Sequence, residues 1–177
     1  HRVIGTDVDP FAAGLYRSDK GYVVPHPWPE YVAELGRICE KEKVDVLIPG
    51  SDVELPILSK NRDRFEEMGL CMLIGSHESI MTARDKFRTQ EFLRANKFPY
   101  IRSYLPDDLN RCIEEVGFPL VIKPRSAYGG THFYLARSAE EARVLVSYTR
   151  REGWEPVLQE YVETPAEYLS LIHISEP

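Results

Sequence analysis

The sequence has no excess of positive charge, no long apolar run and almost no cysteine. Its 177 residues carry 22 Lys and Arg against 28 Asp and Glu, a net charge of -6, with both signs interspersed along the chain. Nucleic-acid binders gather Lys and Arg into a basic face, so this balance argues against a nucleic-acid partner. No apolar run approaches the roughly 18 residues needed to cross a bilayer, which argues against a membrane partner. The three cysteines, Cys39, Cys71 and Cys112, lie far apart without a CxxC pair. They are expected to be buried thiols in a reducing compartment, which points to a cytoplasmic location. None of His1, His26, His77, His132 and His173 stands at metal-ligand spacing from another His or Cys, so no metal ligand is assigned. A G-x-G-x-x-G turn is also missing, so Asp7, at a strand tip, reads as a turn or cap residue rather than a dinucleotide ribose ligand.

What is present begins as an alternation of strands and helices. Val3 and Ile4 open a strand that ends at Asp7, with Asp9-Pro10 as a turn, and Val23-Val24 is a second extended piece. Pro29 to Lys41 reads as a helix with Val32, Leu35 and Cys39 on one face. Val44 to Ile48 is the next strand, followed by one helix with Leu55, Leu58 and Phe65 as its stripe and Gly69 as its stop. Cys71 to Ile74 is a further buried strand. Alternation of this length predicts a parallel, Rossmann-like sheet over residues 1–76. The chain opens directly on a strand, so the first strand of that sheet is expected to be missing. Residues 169–177 follow no capping or core logic and are expected to be a non-native tail.

From Ser76 the pattern changes to capped helices. Ser76 and Asp85 are candidate N-caps, the second for a helix that carries Phe92 and Leu93 inward and ends at Asn96 in the left-handed conformation. Lys86 stands in the first turn of that helix, where a cation is unfavourable against the helix dipole and a bound phosphate would compensate it; it reads equally as a solvated lysine beside Asp85 and Arg88. Asp107 to Val116 is another helix, with Gly117 as its stop. Ser138 to Glu141 fits a capping box, and Pro156 to Val162 and the run from Ala166 read as strands. This half is predicted to be α+β with an antiparallel sheet.

The stretch Phe118 to Thr131, FPLVIKPRSAYGGT, is the most informative. Leu120 to Ile122 form a short buried strand, Lys123 stands at its end, and Pro124 fixes the backbone just after it. Ser126 to Thr131 supplies Gly129 and Gly130, which can turn backbone N–H groups toward an anion. Read alone, the stretch fits a phosphate site and an ordinary hairpin with a solvated lysine equally well.

Three separated motifs break that tie. DK at Asp85-Lys86, VIKP at Val121 to Pro124 with its glycine loop, and QEYV at Gln159 to Val162 follow one another at intervals of 37 and 36 residues between Lys86, Lys123 and Gln159. In this order, behind a Rossmann-like half, the chain resembles the ATP-grasp enzymes, and is most similar to proteins related to the large subunit of carbamoyl-phosphate synthase. The resemblance implies a truncated pre-ATP-grasp domain over 1–76 and the N-terminal part of an ATP-grasp domain over 77–168. It implies ATP and Mg²⁺ as cofactors, with Lys123 as the catalytic cation. Lys86 and Lys123 would contact the α- and β-phosphates, and Ser126, Gly129, Gly130 and Thr131 would close over the β- and γ-phosphates. Gln159 and the Glu160 backbone would meet the adenine amino group, the Glu160, Tyr161 and Val162 hinge would seat the ring, and Glu167 would hold the ribose. The metal ligands and acceptor site are expected downstream of this chain, so the fragment by itself should not turn over.

The implied activity is a ligase that phosphorylates a carboxylate or bicarbonate and transfers the acyl group to an amine or ammonia. Its partners are then those small molecules, with the oligomeric state left open. Two alternatives remain: a nucleotide-binding module without catalysis, and a carboxylase-type member with a biotinylated partner. The loop departs from the family pattern in having less glycine, with Tyr128 and His132 in place of smaller residues.

Overall fold

The computed structural model describes residues 1–26, 28–127 and 132–163, without the side chains of residues 28 and 29. The chain folds as two compact units, His1–Met81 and Thr82–Pro177. Among the described residues no helix is long and apolar enough to cross a membrane.

The first unit follows the alternation expected of it. Strand β1 (Ile4–Asp7) lies parallel to β2 (Lys20–Val23), joined by the short helix α1 (Ala13–Arg17). Gly21 is required by this crossing, since a Cβ there would stand 2.8 Å from the Leu15 carbonyl oxygen. Helix α2 (Trp28–Glu42) turns Tyr31, Val32, Leu35, Ile38 and Cys39 into the core at steps of three and four residues. Strand β3 (Val46–Leu47) pairs in parallel with β4 (Cys71–Met72). The strands are parallel, as predicted, but among the described residues they form two separate pairs. Asp7 accepts the Asp9 N–H at 2.9 Å, the turn role that the sequence predicts for it.

Two expectations need correction here. The single helix predicted between β3 and β4 is two, α3 (Leu55–Lys60) and α4 (Arg62–Glu67). The break is at Asn61, whose side-chain amide and backbone N–H both donate to the Ile57 carbonyl and close the first helix upon itself. The apolar stripe survives, with Leu58 and Phe65 both fully buried. Cys71, expected to be a buried thiol, is exposed, whereas Cys39 and Cys112 are buried. On β4 it is Met72 that faces the core, and alternation along the strand sends its neighbour outward.

Helix α5 (His77–Arg84) starts directly after Ser76, the cap expected from the sequence, whose hydroxyl accepts the Ser79 N–H at 3.1 Å. In the second unit, α6 (Lys86–Ala95) is capped by Asp85. Phe92 is 53% exposed rather than inward. The left-handed residue at the end of α6 is Lys97 and not Asn96, whose side chain instead donates to the Phe92 carbonyl at 2.8 Å. Strand β5 (Ser103–Tyr104) and a 3-10 turn over Pro106–Asp108 lead into α7 (Leu109–Val116), which Gly117 ends at φ 78°.

A four-stranded sheet in the order β5, β8, β6, β7 completes this unit, with β6 (Leu120–Pro124), β7 (Tyr134–Ala136) and β8 (Pro156–Glu160). All its pairings are antiparallel. Between β7 and β8 runs α8 (Ala139–Arg151), whose cap Ser138 accepts the Glu141 N–H at 3.1 Å. The Glu141 carboxylate returns to the Arg137 N–H, one residue before the position a capping box uses. Tyr104, Leu120, Ile122, Ala136 and Leu158 pack on Leu109 and Cys112 of α7 and on Ala142 and Val146 of α8. The larger aliphatic side chains among them, such as Leu120, Ile122 and Leu158, each contribute about 1.5–3 kcal/mol by leaving water. The strand expected from Ala166, and the tail at 169–177, lie outside the described residues.

Candidate functional site

Alternation along β6 sorts its residues by role. Leu120 and Ile122 point into the core against α7 and α8, so Val121 and Lys123 project from the opposite face of the sheet. Val121 stands opposite Gln159 and Lys123 opposite Val157, which places Gln159 on the same face as Lys123. The sheet thus brings together two of the residues singled out by sequence, 36 positions apart.

Lys86 reaches the same neighbourhood from α6. Its backbone N–H donates to the Arg125 carbonyl at 2.9 Å, and its Nζ donates to the Ala127 carbonyl at 2.9 Å. Burial pushes the Lys86 ammonium below its usual range, with the Asp85 carboxylate pulling the other way. The Lys123 ammonium is also lowered, first by burial and then by the positive charge of Lys86. Two half-buried cations close enough to feel each other form a place that favours an anion. Among the described residues the ion pairs here join Arg88 and Arg125 to Asp85, not Lys86 or Lys123.

The motif on β8 is placed differently for each residue. Gln159 is 3% exposed and its side-chain amide donates to Ser103 Oγ at 2.7 Å. Glu160 stands opposite Leu120, and its carboxylate accepts the N–H and Nε of Arg102 at 3.0 and 2.6 Å. Its backbone N–H donates to the Arg102 carbonyl at 3.1 Å, so the side chain and the N–H of Glu160 are both committed to structure. Tyr161 and Val162, just past β8, are exposed. Ser126 is exposed at the start of the loop. Gly129, Gly130, Thr131 and Glu167 lie outside the described residues.

Sequence reading misses Arg125 and the role of Asp85 beyond capping. The Asp85 carboxylate accepts the Phe87 and Arg88 N–H groups and also binds the Arg125 guanidinium through Nε at 3.2 Å and Nη2 at 2.5 Å. No local pattern signals a pairing across 40 residues. Among the described residues there is no group of three or more His, Cys, Asp or Glu able to hold a metal ion.

The first unit has a concave feature of its own. A cleft of about 960 Å³ lies between β1 and β3, with Tyr31, Leu35 and Leu58 in its lining. Beside it Tyr31 donates to Glu54, whose other oxygen accepts the Gly50 and Ser51 N–H groups at 2.7 and 2.9 Å.

Comparison with known proteins adds independent observations. Residues 1–74 match the PylC-like N-terminal domain and residues 83–171 the RimK-like ATP-grasp domain. The carbamoyl phosphate synthase large chain of Thermotoga petrophila is 30% identical over 137 residues, which cover 73% of this chain and 12% of the relative. Phosphoribosylamine--glycine ligase of Pyrococcus furiosus is 26% identical over 137 residues, 73% of this chain and 31% of the relative. Among solved structures, the biotin carboxylase domain of Hydrogenobacter thermophilus 2-oxoglutarate carboxylase, crystallised with MgADP and bicarbonate, superposes with a TM-score of 0.71 at 18% identity. That match covers 90% of this chain and 38% of the other. N5-carboxyaminoimidazole ribonucleotide synthetase from Thermus thermophilus gives 0.69 at 19% identity, covering 92% and 41%. The chain thus spans only a small part of the carbamoyl phosphate synthase chains that it matches.

Proposed function

Because the chain belongs to the ATP-grasp family, its residues 83–171 matching the RimK-like ATP-grasp domain, we propose that the full-length protein is an ATP-dependent ligase acting on small molecules in the cytoplasm. It moves the γ-phosphoryl group of ATP onto a carboxylate or bicarbonate, leaving ADP, and an amine or ammonia then attacks the acyl phosphate to form a C–N bond with loss of inorganic phosphate. One observation carries this reading: Lys86 and Lys123 share a half-buried site in which each lacks an ion pair among the described residues and burial disfavours their charge.

The chemistry follows from that charge. Phosphoryl transfer spreads negative charge over the transferred oxygens, so fixed cations and loop N–H groups supply most of the stabilisation. A lysine about 4 Å from a phosphate charge is worth on the order of 4 kcal/mol at an effective dielectric near 20. In this reading Lys123 and Lys86 hold the α- and β-phosphates, and the loop from Ser126 through Gly129 and Gly130 to Thr131 covers the β- and γ-phosphates. Gln159 and the main chain of Glu160, Tyr161 and Val162 receive the adenine edge, and Glu167 the ribose. The buried Gln159 to Ser103 bond would fix the strand from which that hinge departs. Mg²⁺ would accompany the nucleotide and offset phosphate charge; the described residues include no group of three or more His, Cys, Asp or Glu able to hold it.

The test is a magnesium-dependent ADP-release assay of the full-length protein against a panel of carboxylates and amines. Release that requires one carboxylate together with one amine supports the ligase. Nucleotide binding without ADP release under any pairing would instead identify a non-catalytic nucleotide module.

A further inference from the structure

We propose that Asp85 and Arg125 are a positioning pair that sets the entry of the glycine loop against Lys86, so that nucleotide affinity depends on two side chains that do not themselves carry the phosphate contact. The inference rests on the nucleotide reading above and adds to it the device that aligns the site.

Asp85 sits at the N-cap of α6 with extended backbone, φ -104° and ψ 109°. One carboxylate oxygen accepts the N–H groups of Phe87 and Arg88 at 2.9 and 3.2 Å and Arg125 Nε at 3.2 Å. The other accepts Arg125 Nη2 at 2.5 Å. Arg88 Nε also stands 3.8 Å from that second oxygen, so among the described residues every partner found for the Asp85 carboxylate belongs to its own helix turn or to Arg125. The Arg125 guanidinium also lies 5.5 Å from the centre of the Phe87 ring, a cation–π contact beside the ion pair. Burial works against the Asp85 charge, and Arg125 with the Arg88 and Phe87 N–H groups outweighs it, holding the carboxyl below its usual range.

The main chain repeats the same register. Lys86 N–H donates to the Arg125 carbonyl at 2.9 Å, and Arg125 N–H donates to the Glu155 carbonyl at 2.9 Å. Residue 125 is thereby tied to α6 on one side and to the residue preceding β8 on the other, three residues before Tyr128. Lys86 Nζ reaches the Ala127 carbonyl within that segment. A guanidinium held this closely by a carboxylate adds little net charge to an anion site, and what it adds is position. Displacements of about 1 Å in such a frame can cost on the order of a hundredfold in activity.

The test measures MgATP affinity by calorimetry for the full-length wild type, Asp85→Asn, Arg125→Gln and the double variant. Asparagine keeps the capping oxygen and removes the ion pair. It also makes the site one unit more positive, so simple electrostatics would tighten nucleotide binding. The positioning pair predicts the opposite sign, a loss of about tenfold in each single variant and no further loss in the double. Affinity equal to or tighter than wild type in Asp85→Asn overturns the proposal. So do additive losses in the double variant, or a loss confined to Arg125→Gln, which would make Arg125 a direct phosphate ligand. If the cap variant does not fold, Arg125→Lys carries the test: it keeps the positive charge and loses the bidentate fork, so affinity near wild type overturns the positioning role. Absence of MgATP binding by the wild type would overturn the nucleotide reading itself, an outcome distinct from wild-type binding with unaffected variants.

Discussion

The positive charge of Lys86 acts on Lys123, 37 residues later in sequence and on a different element, and adds to burial in lowering the Lys123 ammonium below its usual range. Charge here depends on pH earlier than at an ordinary surface lysine. As pH rises toward the usual lysine value of 10.5, the two ammonium groups lose their protons first in the folded protein. Nucleotide affinity should therefore weaken at a lower pH than that at which surface lysines titrate, and amine-reactive reagents should label these two residues early, with ATP protecting them. Peptide mapping after graded labelling checks this, and uniform labelling of all lysines would contradict it. The linkage to stability has the opposite sense. The unfolded chain keeps those protons to higher pH, so the fold gains stability through that window.

Glu42 gives a second pH signature. Its carboxylate accepts from Lys20 at 2.7 Å and from Tyr22, and pairs with Arg2 at 2.7 Å, and these partners push it down to about 2. A depressed carboxyl stabilises the fold above its unfolded value near 4.5 and loses that contribution as pH falls toward 2. Glu42→Gln should melt below wild type at pH 7, and the two melting curves should converge in acid. A constant difference at all pH values would contradict the assignment.

Backbone geometry is partly legible in the sequence. Gly117, a helix stop by its position, adopts φ 78° and ψ -157°, a region essentially restricted to glycine. A Cβ there would meet nothing within 4 Å, so Gly117→Ala isolates the backbone cost. The expected loss is about 1–3 kcal/mol, measured by urea unfolding. An unchanged midpoint would contradict it.

Signals that depend on a neighbour in the chain are readable, and those that depend on the fold are not. Asp85, Ser138 and Gly117 act on residues two to four positions away, so their roles can be read locally. Asn61 breaks a continuous apolar stripe by bonding to Ile57, a competition that periodicity does not register. Lys97 rather than Asn96 takes the left-handed turn, because Asn96 spends its side chain on the Phe92 carbonyl. The pairs Asp85 with Arg125, Arg102 with Glu160 and Ser103 with Gln159 span 40, 58 and 56 residues. Only the tertiary fold brings them together. The three motifs can be put in order from the sequence, but which side chain of QEYV stays free for a ligand cannot.

Thiol chemistry offers a check on the corrected burial. Cys71 is exposed, whereas burial raises the Cys39 thiol and pushes the Cys112 thiol up to about 12. Alkylation at neutral pH should modify Cys71 first, and Cys39 and Cys112 only as the fold opens. Mass spectrometry over a time course distinguishes the order, and equal rates at all three would contradict it.

The central claim is that Lys86 and Lys123 make one nucleotide-phosphate site, and titration calorimetry with MgATP tests it most directly. Full-length wild type should bind, while Lys123→Ala and Lys86→Ala should each lose about a hundredfold or more of the affinity, with the fold intact by circular dichroism. Unchanged MgATP affinity in both lysine variants would contradict the account.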